Sequence, residues 1–151
     1  MQRAKLSKPR YLLDLNALIA LVDPDSRQYS AMQTWFDLQG KNDWGVCPLT
    51  EAGFIRVTTN PIYKGSGRSV AQATSILQKL SVQPGYRYWM INHKWADVTA
   101  PFEMRVTGHQ QVTDAYLLGL AIIEKGILVT FDRAIKYLAG TDYSKNLLVL
   151  G

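Results

Sequence analysis

Four acidic residues of this chain stand where an ordinary surface carboxylate is not needed. Asp14 follows the apolar run Tyr11-Leu12-Leu13, and Asp132 follows Ile127-Leu128-Val129-Thr130-Phe131. Glu51 and Asp114 come directly after Thr50 and Thr113, each at the start of a stretch with helical patterning. Four carboxylates crowded into a partly dry site repel one another strongly. A hard divalent cation is the simplest remedy, and Mg²⁺ or Mn²⁺ favours an all-oxygen ligand set. Each acid alone has a plainer reading, because Asp and Glu at helix N-termini cap free N–H groups and complement the helix dipole. Asp132, directly before Arg133-Ala134-Ile135, is the purest cap candidate. Asp14 is the hardest to dismiss, since it follows a run that reads as buried. As a set, the four outweigh the sum of their separate cap readings.

The elements around these acids must bring together residues almost the whole chain apart. Tyr11 to Leu13 reads as a buried strand, with Asp14 at the turn into a helix over Asn16 to Val22. Met32, Trp35, Phe36 and Leu38 give a helical face to Tyr29–Leu38. Trp44 to Cys47 predicts a short strand stopped by Pro48, after which Thr50 caps a helix from Glu51 to about Thr58, ended by Asn60-Pro61. Ser69 opens a longer helix on Val70, Ala73, Ile76, Leu77 and Leu80, and Pro84-Gly85 closes it. Tyr86 to Ile91 reads as a strand, and residues 92–109 are assigned only loosely, with a helix around Trp95. Thr113 predicts the cap of a helix from Asp114 to Lys125, with Gly126 as its C′ residue. A strand over Ile127–Phe131, a short helix over Arg133–Leu138 and a last strand over Leu147–Leu150 complete the chain. Short continuous apolar runs alternating with helices imply an α/β fold with a mostly parallel sheet covered on both faces. All four acids then fall on the carboxyl edge of that sheet, where open α/β folds bind ligands.

Composition bounds the rest. A chain of 151 residues is sized for one domain, here 1–151 with a basic N-terminal extension over 1–9. At 47% hydrophobic and 19% charged residues it reads as globular rather than disordered. The basic residues 1–10 followed by apolar Tyr11–Val22 mimic a secretory signal, but Asp14 and Asn16 interrupt the run. No apolar stretch approaches the ~20 residues of a membrane span. The single cysteine, Cys47, has no internal partner and is expected to be a small buried hydrophobe. These features predict a cytoplasmic protein. The net charge of +5 is compatible with a nucleic-acid partner, without by itself demanding one.

Taken in order, Tyr11-Leu12-Leu13-Asp14-Leu15-Asn16-Ala17-Leu18, Leu49-Thr50-Glu51-Ala52-Gly53, Val112-Thr113-Asp114-Ala115-Tyr116-Leu117 and Leu128-Val129-Thr130-Phe131-Asp132 resemble the four acidic motifs of PIN domains. They follow the family's order at similar spacing, and residues from about 10 to 150 are covered. The stretch from Glu51 to Pro61, with Arg56 and Asn60-Pro61, is most similar to the VapC-type toxins of bacterial toxin–antitoxin pairs. The resemblance implies a three-layer α/β/α sandwich, a Mg²⁺-dependent endoribonuclease, a small antitoxin partner and a homodimer. It implies cleavage that leaves a 3′-hydroxyl and a 5′-phosphate. Asp14, Asp114 and Asp132 would then hold one or two Mg²⁺ ions, with Mn²⁺ a plausible substitute, and Glu51 would be a further ligand or the orienter of a water.

Weaker candidates surround this set. Asn16 is placed to orient Asp14, and Thr130 lies on the same side of its strand as Asp132; both serve equally well as hydrogen-bonding fillers. Arg56 is a candidate for RNA phosphate, or a solvated helix arginine. His93 and His109 are too isolated for a zinc site, and Trp35, Trp44, Trp89 and Trp95 are expected in the core. A response-regulator receiver would show adjacent acids after its first strand, and a haloacid-dehalogenase-type phosphatase a second aspartate where this chain has Asn16. The remaining alternatives are an RNA-processing nuclease of the same family without an antitoxin, and a PIN-like binding module whose acids are only caps.

Overall fold

A computed structural model describes residues 8–63 and 67–151. Most of the basic N-terminal extension, residues 1–7, lies outside the described residues. Four strands, Tyr11–Leu13 (β1), Trp44–Gly45 (β2), Ile127–Thr130 (β3) and Leu147–Val149 (β4), form one parallel sheet in the order β2-β1-β3-β4. The helices are Leu15–Val22 (α1), Tyr29–Leu38 (α2), Pro48–Thr58 (α3), Val70–Ser81 (α4), Trp95–Thr99 (α5), Val112–Ile123 (α6) and Ile135–Ala139 (α7).

Alternation along the strands divides the core in two, since successive side chains point to opposite faces. Tyr11, Leu13 and Val129 pack with Leu18, Met32, Trp35 and Phe54 beneath α1, α2 and α3. Leu12 and Leu128 pack with Trp89, Leu117, Leu120 and Ile135 beneath α6 and α7. The expected three-layer α/β/α sandwich follows, with the sheet buried on both faces as its continuous apolar strands require. Cys47, Trp35, Trp44 and Trp89 are in the core as expected, whereas Trp95 is exposed and lies stacked beside Tyr116. No helix among the described residues is long and apolar enough to cross a membrane.

Local expectations failed where one residue had two possible jobs. Helix α3 begins at Pro48 rather than after a Thr50 cap, because proline costs nothing in a first turn whose N–H groups lack intrahelical partners. The Thr50 hydroxyl instead donates to Leu13 O at 3.2 Å, tying α3 to the end of β1. Thr113 is likewise inside α6, which starts at Val112. At the other end of α6 it is Lys125, at φ 56°, that takes the left-handed turn. Gly126 is needed for a different reason: a Cβ there would meet the Trp89 ring and the Arg10 carbonyl. Residues 86–91 run beside β2 without forming the expected strand. Arg87 N donates to Trp44 O at 2.7 Å and Trp89 N to Val46 O at 3.0 Å, but Trp44 and Tyr86 make the only bridge described there. Residues 92–109 contain α5 followed by tight 3-10 turns over Ala100–Arg105.

Candidate metal centre

The register of the sheet sets the site. Leu13 lies opposite Val129, so β1 ends one residue earlier than β3 along the shared edge. Asp14 continues the ladder by donating its N–H to Val129 O at 2.9 Å, which places its side chain next to Thr130. Thr130 is fully buried, and its hydroxyl donates to Asp14 Oδ2 at 2.8 Å. Thr130 Oγ1 in turn accepts from Asn16 Nδ2 at 3.2 Å and from Asp132 N at 3.0 Å. A hydroxyl has one proton, and a carboxylate is the stronger claimant on it than the Asn16 Oδ1 at 3.4 Å, which is itself satisfied by Phe131 N at 3.0 Å. Thr130 and Asn16 thus join the ends of β1 and β3 and orient Asp14, leaving Thr130 no free group for a substrate.

Among the acids, two do some capping and two do none. Asp14 Oδ1 accepts from Leu15 N at 2.7 Å, and Asp132 Oδ1 accepts from Ala134 N at 2.9 Å. Asp114 sits in the first turn of α6, half-buried, where no side-chain cap bond is made. Its carboxylate accepts no hydrogen bond from any described residue. Burial, then the charges of Asp14 and Asp132, push the Asp114 carboxyl up to about 7. Burial also raises Asp14, against the hydrogen bonds from Thr130 and Leu15, and the charge of Asp132 raises it further. These three aspartates therefore share one electrostatic site, although Asp14 and Asp132 come from opposite ends of the chain.

The charge of Glu51 is not among those that raise Asp14 and Asp114. This residue lies in the first turn of α3, where Gly53 leaves room for the Leu15 side chain against the helix. Glu51 Oε1 accepts from the Tyr88 hydroxyl at 2.8 Å. Its charge acts on the neighbouring phenols: Tyr86 is pushed up to about 12, by burial first and then by Glu51, and Tyr88 is raised for the same two causes and by donating to the carboxylate. Tyr88 was not singled out in the sequence, and no local pattern marks a tyrosine 37 positions from its partner. Arg56 lies exposed in the last turn of α3, over a surface shared with Asn60, Ile62 and Tyr63 and away from the aspartates.

Asp114 and Asp132 open onto a cleft of about 430 Å³ whose far wall is residues 107–111. Gln111 Oε1 accepts from Thr107 N at 2.7 Å and Thr107 Oγ1 at 3.1 Å, which pins that wall. His109 lines that wall too, a position that its isolation in the sequence does not mark. Among the described residues, no three His, Cys, Asp or Glu side chains already stand close enough to enclose a metal ion. The donor chemistry nonetheless fits a hard divalent cation: oxygen only, with one partnerless carboxylate whose charge its neighbours disfavour.

Comparison with known proteins decides the family. The PIN domain model matches residues 11–140. The chain belongs to the PIN-domain family. This PIN domain is 39% identical over 128 residues to Ribonuclease VapC38 of Mycobacterium tuberculosis, covering 85% of this chain and 89% of the relative. It is 36% identical over 126 residues to Ribonuclease VapC44 of the same species, covering 83% and 88%. Among solved structures, VapBC2 from Rickettsia felis bound to a promoter DNA fragment matches with a TM-score of 0.65 at 15% identity, covering 93% of this chain and 98% of that one. FitAcB from Neisseria gonorrhoeae matches with a TM-score of 0.59 at 16% identity, covering 85% and 92%. At those identities the structural matches establish the PIN fold.

Proposed function

We propose that this PIN domain is a divalent-metal-dependent endoribonuclease, the toxin of a toxin–antitoxin pair, acting in the cytoplasm. The observation that carries the reading is Asp114: a carboxylate that caps nothing, pushed up to about 7 by burial and by Asp14 and Asp132. A cap has no use for that environment, whereas a cation does. The ribonuclease names of the relatives supply the substrate class.

In this mechanism Asp14, Asp114 and Asp132 would hold Mg²⁺ or Mn²⁺. When bound, the ion lowers the pKa of water and offsets charge on the phosphate. Thr130 and Leu15 N fix Asp14 in one orientation, so the site is built around a carboxylate already in place. Asp114 has no hydrogen bond to give up and would serve as a ligand without breaking one. Glu51, steadied by Tyr88, is set to orient the attacking water. Residues 107–111 form the wall along which the RNA strand lies. Attack of water on phosphorus would break the P–O3′ bond, the expelled oxygen taking a proton, to leave a 3′-hydroxyl and a 5′-phosphate.

The test is RNA cleavage by purified protein. EDTA should abolish it, Mg²⁺ or Mn²⁺ should restore it, and Ca²⁺ should do so poorly; full activity in excess chelator refutes the reading. The toxin assignment adds slowed growth on expression alone, relieved by a neighbouring small protein that binds this one. Such a partner, like a homodimer, is checked by co-purification and by light scattering. Metal-dependent cleavage without toxicity or a binding partner leaves a processing nuclease instead.

A further inference from the structure

A groove of about 540 Å³ lies on the side of the sheet opposite to the aspartates. It is formed where Lys8 precedes β1, where Lys125 joins α6 to β3, and where Lys145 precedes β4. No described carboxylate is paired with any of these three lysines. The one acid in the groove, Asp142, is engaged by Arg105 Nη2 at 3.1 Å, which offsets its charge. Between the lysines the lining includes Ile127 and Tyr143, both half-buried. An apolar and aromatic floor under a cationic rim suits a nucleotide, which has a face to stack and a phosphate to neutralise.

We propose that this groove is a second binding site for single-stranded RNA, holding phosphates and a base of the strand that is cut at the opposite edge. The identity of the ligand rests on the ribonuclease reading above. The physical need is electrostatic. In the metal-free protein three carboxylates at the catalytic edge repel a polyanion, so RNA affinity measured without metal must come from another surface. Helix α6 connects the two places, with Asp114 in its first turn and Lys125 just beyond its last. Eleven residues at the helical rise put them about 16 Å apart along the axis. A dinucleotide cannot reach both, whereas a longer strand can.

The experiment uses the double variant Lys125→Asn, Lys145→Gln. Asparagine accepts the left-handed backbone at position 125 more readily than lysine, so the fold is kept while two charges go. Binding of a long single-stranded RNA to the protein in EDTA is followed by fluorescence anisotropy over a range of salt. The affinity should fall about tenfold at low salt, and the slope of log K against log salt should lose about 1.4 for two phosphate contacts. With Mg²⁺, KM for long RNA should rise while cleavage of a dinucleotide is unchanged. Unaltered RNA binding and slope, or equal losses on long and short substrates, overturns the proposal. Unaltered RNA binding with weakened capture of an acidic protein partner overturns it in favour of a protein interface. If the wild type binds RNA through the groove and cuts none, the groove stands and the nuclease reading falls.

Discussion

Replacing Asp114 by Asn removes a charge that the metal-free protein is built to disfavour. Burial and two neighbouring aspartates raise this carboxyl from 3.8 to about 7. The native state therefore binds a proton that the unfolded chain has already released between those two values. Stability of the metal-free protein falls as pH rises from about 4 to about 7, and is flat above. Three pH units correspond to a ceiling of roughly 4 kcal/mol. Asp114 is partly exposed and solvent screens its neighbours, so we expect about 1–2 kcal/mol. At pH 8 in EDTA, Asp114→Asn should melt about 3–6 °C above the wild type, given the usual scaling for a domain of this size. At pH 4.5 the two should nearly coincide. Addition of Mg²⁺ should raise the wild-type Tm by mass action and the variant's far less, and RNA cleavage should drop by orders of magnitude. The assay is differential scanning fluorimetry across pH with and without metal. A variant no more stable than wild type at pH 8 in chelator would falsify the shared electrostatic site.

Other substitutions test the supports of that site. Thr130→Val keeps the shape but strips Asp14 Oδ2 and Asp132 N of their partner, and should cost about 1–3 kcal/mol in urea unfolding together with most of the activity; a silent change would show that Asp14 needs no orienting. Tyr88→Phe should alter stability by no more than about 1 kcal/mol yet lower kcat with little effect on KM, and an unchanged kcat would show that Glu51 needs no positioning by Tyr88. Gly126→Ala forces a methyl against the Trp89 ring and the Arg10 carbonyl, and should destabilise by about 1–3 kcal/mol while leaving Mg²⁺ dependence intact; a neutral change would mean that the close approach there is not tight.

The layout of the sheet, and with it the expectation that the acids fall at its carboxyl edge, was legible because each depends on a short stretch of chain. Tyr11-Leu12-Leu13 and Ile127-Leu128-Val129 are apolar runs of the kind that a sheet covered on both faces accommodates. An acid that closely follows such a run falls at its carboxyl edge. Resemblance to one family then supplied a chemistry that charge and spacing alone left open. Helix starts were less legible, because Thr50 and Thr113 are good caps in isolation. At α3 a proline that tolerates the first turn moved the boundary, and the freed Thr50 hydroxyl found a carbonyl on another element. What decides function in detail is longer in range. Thr130 reaches Asp14 across 116 positions and Tyr88 reaches Glu51 across 37. The proton affinity of Asp114 comes from charges brought near it by folding, and from water taken away. The lysine groove exists only because three loops separated in the chain return to the same edge of the sheet. Local sequence determines which element forms and which residues end it. Pairing, burial and field depend on distances through space, and those are set only when the strands take their order.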